Sequence, residues 1–139
     1  MSLRANTKSV TIPASVDDAI SFLGDPGNLP LWAVGFARGI RRDGDAWIVQ
    51  TAEGEFPVRY TVDGERGTID IHTVVVPGVE SSAYARVLAN GTGSEFVFTH
   101  FQEPGMPDEV FEGQCAALAE ELALIPILVR ARGVCPAGR

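Results

Sequence analysis

From Phe36 to Gln102 apolar and polar residues alternate, and turn residues cut the alternation at Asp43-Gly44, Glu53-Gly54, Gly64-Glu65-Arg66-Gly67 and Asn90-Gly91-Thr92-Gly93. A period of two with turns this closely spaced belongs to an antiparallel meander, not to βαβ units, whose strands are separated by helical patterns. Six strands are expected, at Phe36–Arg42, Ala46–Thr51, Glu55–Asp63, Thr68–Val76, Ser81–Ala89 and Ser94–Phe101.

The segments on either side of the meander set its partners. Ser9-Val10-Thr11-Ile12 reads as a short strand ended by Pro13. Ser15, with Asp18 three residues on, opens a helix through Ile20, Phe22 and Leu23. Gly24-Asp25-Pro26-Gly27 stops that helix, and Leu29 to Trp32 allows one more helical turn. After Pro104 and Pro107, Asp108 caps a long helix in which Phe111, Cys115, Leu118, Leu122, Ile125 and Val129 recur every three or four positions, with a kink expected at Pro126. The sum is an α+β domain: a curved antiparallel sheet of about seven strands wrapped around a long C-terminal helix, with two short helices between strands 1 and 2.

At 139 residues one domain spanning 1–139 is expected, with an ordered core of about 8–132 and tails at 1–7 and 133–139. The net charge of −7 and the lack of a basic run or face argue against a nucleic-acid or anionic-membrane partner. Residues 1–8 lack the apolar core of a signal peptide, and no apolar run is long enough to insert in a membrane, so a cytoplasmic location is expected. Two cysteines make neither a disulfide framework nor a zinc site. Cys115 reads as a core residue, Cys135 as a free thiol in a Gly/Pro-rich tail, and no metal or cofactor is expected.

Three stretches, "VTIPASVDDAISFLGDPGNLPLW", "DGDAWIVQTAEGEFPVRY" and "RVLANGTGSEFVFTHFQEPGMPDEVF", together with this element order, resemble the helix-grip fold of the START-like (SRPBCC) superfamily, which includes the polyketide cyclase/dehydrase and Bet v 1-like proteins. The resemblance covers nearly the whole chain. It implies a hydrophobic cavity between sheet and C-terminal helix, and a small lipid- or polyketide-like ligand inside it. Within the superfamily stand carriers, polyketide cyclase/aromatase or dehydratase enzymes, and co-chaperone-like interaction modules, and all three functions remain open. An exposed edge strand permits monomer or homodimer.

Hairpin loops fix register, and directly opposite residues share a face. Two-residue turns at Asp43-Gly44 and Glu53-Gly54 set Ile40 opposite Trp47, Arg38 opposite Val49, Phe36 opposite Thr51, Val49 opposite Val58 and Trp47 opposite Tyr60. The later loops set Val62 against Ile69, Tyr60 against Ile71, Val58 against Thr73, Phe56 against Val75, Val87 against Phe96, Ala85 against Phe98 and Ala83 against His100. The inward set, with Trp32 at the cavity mouth and the C-terminal helix above, makes Trp32, Phe36, Arg38, Trp47, Thr51, Tyr60, Thr73, Phe98, His100, Phe111, Cys115 and Leu118 the candidate ligand-binding residues.

Arg38 has two readings: a side chain that snorkels to water, or an anchor for a carboxylate or phenolate on the ligand. A one-residue slip in its strand would reverse its direction. His100 is either a hydrogen-bonded core residue or, with Arg38 and Tyr60, part of an acid/base and oxyanion set for an aldol-type cyclisation or dehydration. Asp70-x-His72 shares the outward face with Arg59 and Thr61 and reads as a cross-strand polar ladder, with no third ligand for a metal. Gly91-x-Gly93 leads into a strand and is a hairpin turn, and Glu112, Glu120 and Glu121 read as a wet helix face.

Overall fold

The structure is a computed structural model that describes residues 1–133. In chain order it contains β1 (Ala5–Ile12), α1 (Val16–Leu23), a 3-10 turn (Pro26–Asn28), α2 (Leu29–Trp32), β2 (Gly39–Asp43), β3 (Ala46–Thr51), β4 (Gly54–Asp63), β5 (Thr68–Val76), β6 (Val79–Asn90), β7 (Gly93–Phe101) and α3 (Asp108–Gly133). The strands form one antiparallel sheet in the order β1-β7-β6-β5-β4-β3-β2, so every neighbouring pair except β1 and β7 is a hairpin.

Ser15 caps α1 as its position implies, its hydroxyl accepting from the Asp18 N–H at 3.1 Å. β1 begins at Ala5, earlier than the apolar pattern reaches, and pairs from Ala5 opposite Phe101 to Ile12 opposite Ser94. Its first half is held by polar cross-strand pairs, such as Thr7 Oγ1 to Thr99 Oγ1 at 2.8 Å, which carry no hydrophobic period. Residues 5–7 therefore belong to the sheet and not to a tail. The C-terminal tail expected at 133–139, with Cys135, lies outside the described residues beyond Gly133.

The register from β4 to β7 runs as expected, with Val62 opposite Ile69, Tyr60 opposite Ile71, Val87 opposite Phe96 and Ala85 opposite Phe98. The two earlier hairpins are displaced by two residues. Ile40 lies opposite Val49 and Trp47 opposite Val58, with turns at Gly44-Asp45 and Ala52-Glu53. Gly44 takes the left-handed first turn position at φ 63°, and the Thr51 hydroxyl closes the second turn by donating to the Gly54 carbonyl at 2.9 Å and accepting from the Glu53 N–H. A shift of two keeps every side chain on its face. Val75 departs from the inward set because a bulge between Val74 and Val76 breaks the β5–β6 ladder and leaves it exposed.

The concave face of the sheet meets α3 in one core. Ile69, Ile71, Ala85, Val87, Phe96 and Phe98 from the strands are buried with Leu118, Leu122, Ile125 and Val129 from α3 and with Phe22, Leu23 and Trp32 from the short helices. Each such side chain contributes about 1.5–3 kcal/mol relative to exposure. Trp32 stands edge-on to both Phe96 and Phe98, centroids 6.1 Å away in each case, and seals α2 onto the sheet. Pro126 lies inside α3, which continues past it to Gly133.

Candidate functional site

Between the first half of α3 and strands β5 to β7 lies a cavity of about 480 Å³, bordered also by α2 and the loop that follows it. On the helix side its lining is Val110, Gly113, Gln114, Ala117, Leu118 and Glu121. These recur every three or four residues, but on a stripe rotated by about one position from the apolar stripe of Phe111, Cys115 and Leu122. Gly113 and Ala117 are small, so this stripe leaves space where the neighbouring one fills it. The sheet contributes Ile71, Thr73, Ser81, Ala83, Phe98 and His100.

Seven sequence-derived candidates border this space: Trp32, Phe36, Thr51, Thr73, Phe98, His100 and Leu118. Five do not. Arg38 is exposed, because the chain after Ala33 makes hydrogen-bonded turns from the N–H groups of Phe36 and Ala37 to its carbonyl, and regular strand starts only at Gly39. Ala37, not Arg38, takes the buried position, as a charge without a carboxylate partner requires. Trp47 sits beyond the cavity, covered by the Arg42 guanidinium 4.9 Å from its ring. Phe111 is buried beside His100, with ring centroids 5.1 Å apart, and Cys115 is half-buried on the stripe next to the one that lines the cavity.

Tyr60 also lies apart from the cavity. Its hydroxyl is buried with no hydrogen-bond partner among the described residues, and burial, helped by the charge of Asp25, pushes the phenol well above its ordinary range. Arg38, Tyr60 and His100 therefore do not converge on one space.

Glu121 corrects the reading of a wet helix face. It is 7% exposed and lines the cavity, and its Oε2 accepts the Gly35 N–H at 2.9 Å across 86 positions of sequence. Burial pushes its carboxyl above the usual range, the Gly35 and Phe36 N–H groups pull it back, and Glu120 adds a small upward push. Its place was readable in one respect: it follows Leu118 by three and precedes Ile125 by four. A carboxylate at core spacing beside a glycine-containing loop is a stronger signal than its charge alone suggests.

His100 has a definite setting. The Asn6 amide donates to its Nε2 at 2.9 Å, which puts the proton of the neutral ring on Nδ1, and the ring packs against Phe98 and Phe111. Burial, and then the positive charge of Lys8, hold its pKa below the ordinary 6.5. The folded protein thus binds fewer protons here than the unfolded chain in the window below 6.5. Stability from this neutral ring is complete above that value and is lost as pH falls through the window. Glu121 has the opposite sign, because its raised pKa favours the folded state at lower pH. The difference between wild type and His100→Gln isolates the histidine: on acidification from above pH 6.5, the wild-type urea midpoint should fall further than the variant's. Parallel midpoints would contradict this setting.

On the outer face Asp70 and His72 lie opposite Thr61 and Arg59, and His72 Nδ1 is 2.7 Å from the Ser82 hydroxyl. Gly91-Thr92 is the two-residue turn between β6 and β7. No helix among the described residues is long and apolar enough to cross a membrane.

No family model matches the sequence, and no curated protein sequence matches it. Solved structures do match. The Zhui aromatase/cyclase from a Streptomyces species superposes with a TM-score of 0.71 at 19% identity, over 99% of each chain. The di-domain ARO/CYC protein BexL gives 0.72 at 15% identity over 92% of this chain, which spans 47% of that one. A START superfamily protein from Mycobacterium smegmatis gives 0.65 at 14% identity over 91% of this chain and 97% of that one. At these identities the likeness is one of fold. Seven antiparallel strands curved against a long C-terminal helix, with short helices after the first strand, give this chain the START-like fold of the SRPBCC and polyketide cyclase type.

Proposed function

We propose that the protein binds one small, largely apolar molecule in the cavity between its sheet and α3. The observation that carries this reading is the cavity itself. Its volume of about 480 Å³ falls in the range of small-molecule sites, and Trp32, Phe36, Ile71, Phe98 and Leu118 give it apolar walls with a few convergent polar groups at Thr73, His100 and Glu121. The fold shared with an aromatase/cyclase and a START superfamily protein supports the same reading.

The test uses an uncharged probe. Nile red should bind with one-to-one stoichiometry, its emission rising and shifting to the blue, and should quench Trp32 emission in a Trp47→Phe background. Native mass spectrometry of protein purified from cells should show the same stoichiometry for any retained molecule. Absence of saturable binding by Nile red would refute the reading.

A second reading, catalysis in the same cavity, is favoured by one specific observation. A carboxyl held above its usual range and an imidazole held below its own line one space. In a dehydration of a β-hydroxy carbonyl compound, the His100 Nδ1–H would donate to the carbonyl oxygen, and the Glu121 carboxylate would take the α-proton and pass it to the departing hydroxyl, releasing water. His100→Gln should then lower turnover by ~10²-fold or more while leaving Nile red affinity unchanged. Equal losses in affinity and turnover would assign His100 to binding alone.

A further inference from the structure

The cavity's charge is one-sided. Among the described residues neither lysine nor arginine lines it, and its ionisable groups are two carboxyls, Glu121 and Glu53, and His100. Glu121 makes no ion pair among the described residues, and its partners are backbone N–H groups, Gly35 to its Oε2 and Phe36 beside it. Trp32, Phe36 and Phe98 supply aromatic faces or edges around the same space. A buried carboxylate without a cation is expensive, and neutral backbone N–H groups repay only part of its desolvation.

We propose that the cavity selects a hydrophobic amine: an apolar, aromatic-sized body with a protonated nitrogen seated at Glu121 and against the ring of a neighbouring aromatic. This deepens the ligand-binding reading and rests on it. It reverses the ligand chemistry implied by an inward Arg38, because that arginine is outside and a carboxylate is inside. An ammonium donates where Glu121 accepts, is attracted to aromatic rings, and draws the carboxyl back to its ionised form. A carboxylate or phosphate ligand in the same place meets like charge from Glu121 and has no cation to receive it.

Three ligands with one body separate the possibilities: 2-(naphthyl)ethylamine, 2-(naphthyl)ethanol and naphthylacetate, each titrated against Nile red displacement at neutral pH. The amine should bind at least about tenfold tighter than the alcohol and tighter still than the carboxylate, the spread of one charge-assisted hydrogen bond. In Glu121→Gln the amine should fall to within about threefold of the alcohol measured on the same variant. The amide oxygen can still accept from Gly35, so the loop keeps its tie.

A carboxylate that binds as tightly as the amine, or an amine preference that survives Glu121→Gln, overturns the proposal. The three-ligand comparison on the unaltered protein decides the first point even if the variant fails to fold. Failure of all three ligands and of Nile red overturns the binding reading and this one with it. Binding of Nile red and the alcohol without preference for the amine overturns only this one.

Discussion

Ala83→Trp should lower the affinity for Nile red by about 100-fold and leave the fold intact. Ala83 lies opposite Ile71 in the β5–β6 ladder and faces the cavity, so an indole placed there enters the space a ligand would use. An aromatic ring buries about 150–250 Å², and excluding a ligand from that much apolar surface removes about 2–3 kcal/mol of binding. Overpacking a filled core typically costs 1–3 kcal/mol, but about 480 Å³ of room is present here, so the melting temperature should stay within about 3 °C. Displacement titration and a thermal melt on the same sample check both halves. Unchanged dye affinity would locate the dye elsewhere on the protein.

Gly67→Ala, in the loop between β4 and β5, should cost about 3 kcal/mol and lower the melting temperature by about 10 °C. Two effects add. Gly67 sits at φ 75°, where a side chain costs about 1–2 kcal/mol, and a Cβ there would overlap the Val87 carbonyl oxygen. The approach is close because the Gly67 carbonyl accepts the Val87 N–H at 2.7 Å, tying the β4–β5 loop to β6. Gly91→Ala is the control. It shares the left-handed conformation, at φ 58°, but a Cβ would meet nothing within 4 Å, so only the conformational part, about 1 kcal/mol, applies. Equal losses in the two variants would show that the Val87 contact carries no weight.

The fold was legible because period-two alternation and turn residues are local signals, and even hairpins misplaced by two residues kept their faces. Trp47 and Val49 stayed on the inward face although their partners became Val58 and Phe56. The N-terminal half of β1 was hidden because threonine pairs, not apolar residues, hold it to β7. The site was legible on the sheet, where parity decides direction, and less so on α3, where the apolar stripe marks the packed face and the cavity lies beside it. Arg38 failed for a different reason. Parity holds only within continuous strand, and the turns formed by the Phe36 and Ala37 N–H groups end that continuity before Arg38. Glu121 was missed because charge suggested solvent, while its tie to Gly35 is a tertiary contact that no local pattern encodes.

The sheet's share of the cavity wall, Ile71, Ala83 and Phe98, comes from strands whose register is locked pair by pair, whereas Glu121 comes from a helix position with no strand partner. If Glu121 selects the ligand as proposed, preference among ligands and integrity of the sheet are carried by separate parts of the gene. Single-base changes turn a glutamate codon into one for glutamine, lysine or valine, replacing the charge with an amide, an opposite charge or a methyl surface, while Ile71, Ala85 and Phe98 keep their partners. A lineage built on this scaffold could change what it carries in one mutational step, long before its strands diverged.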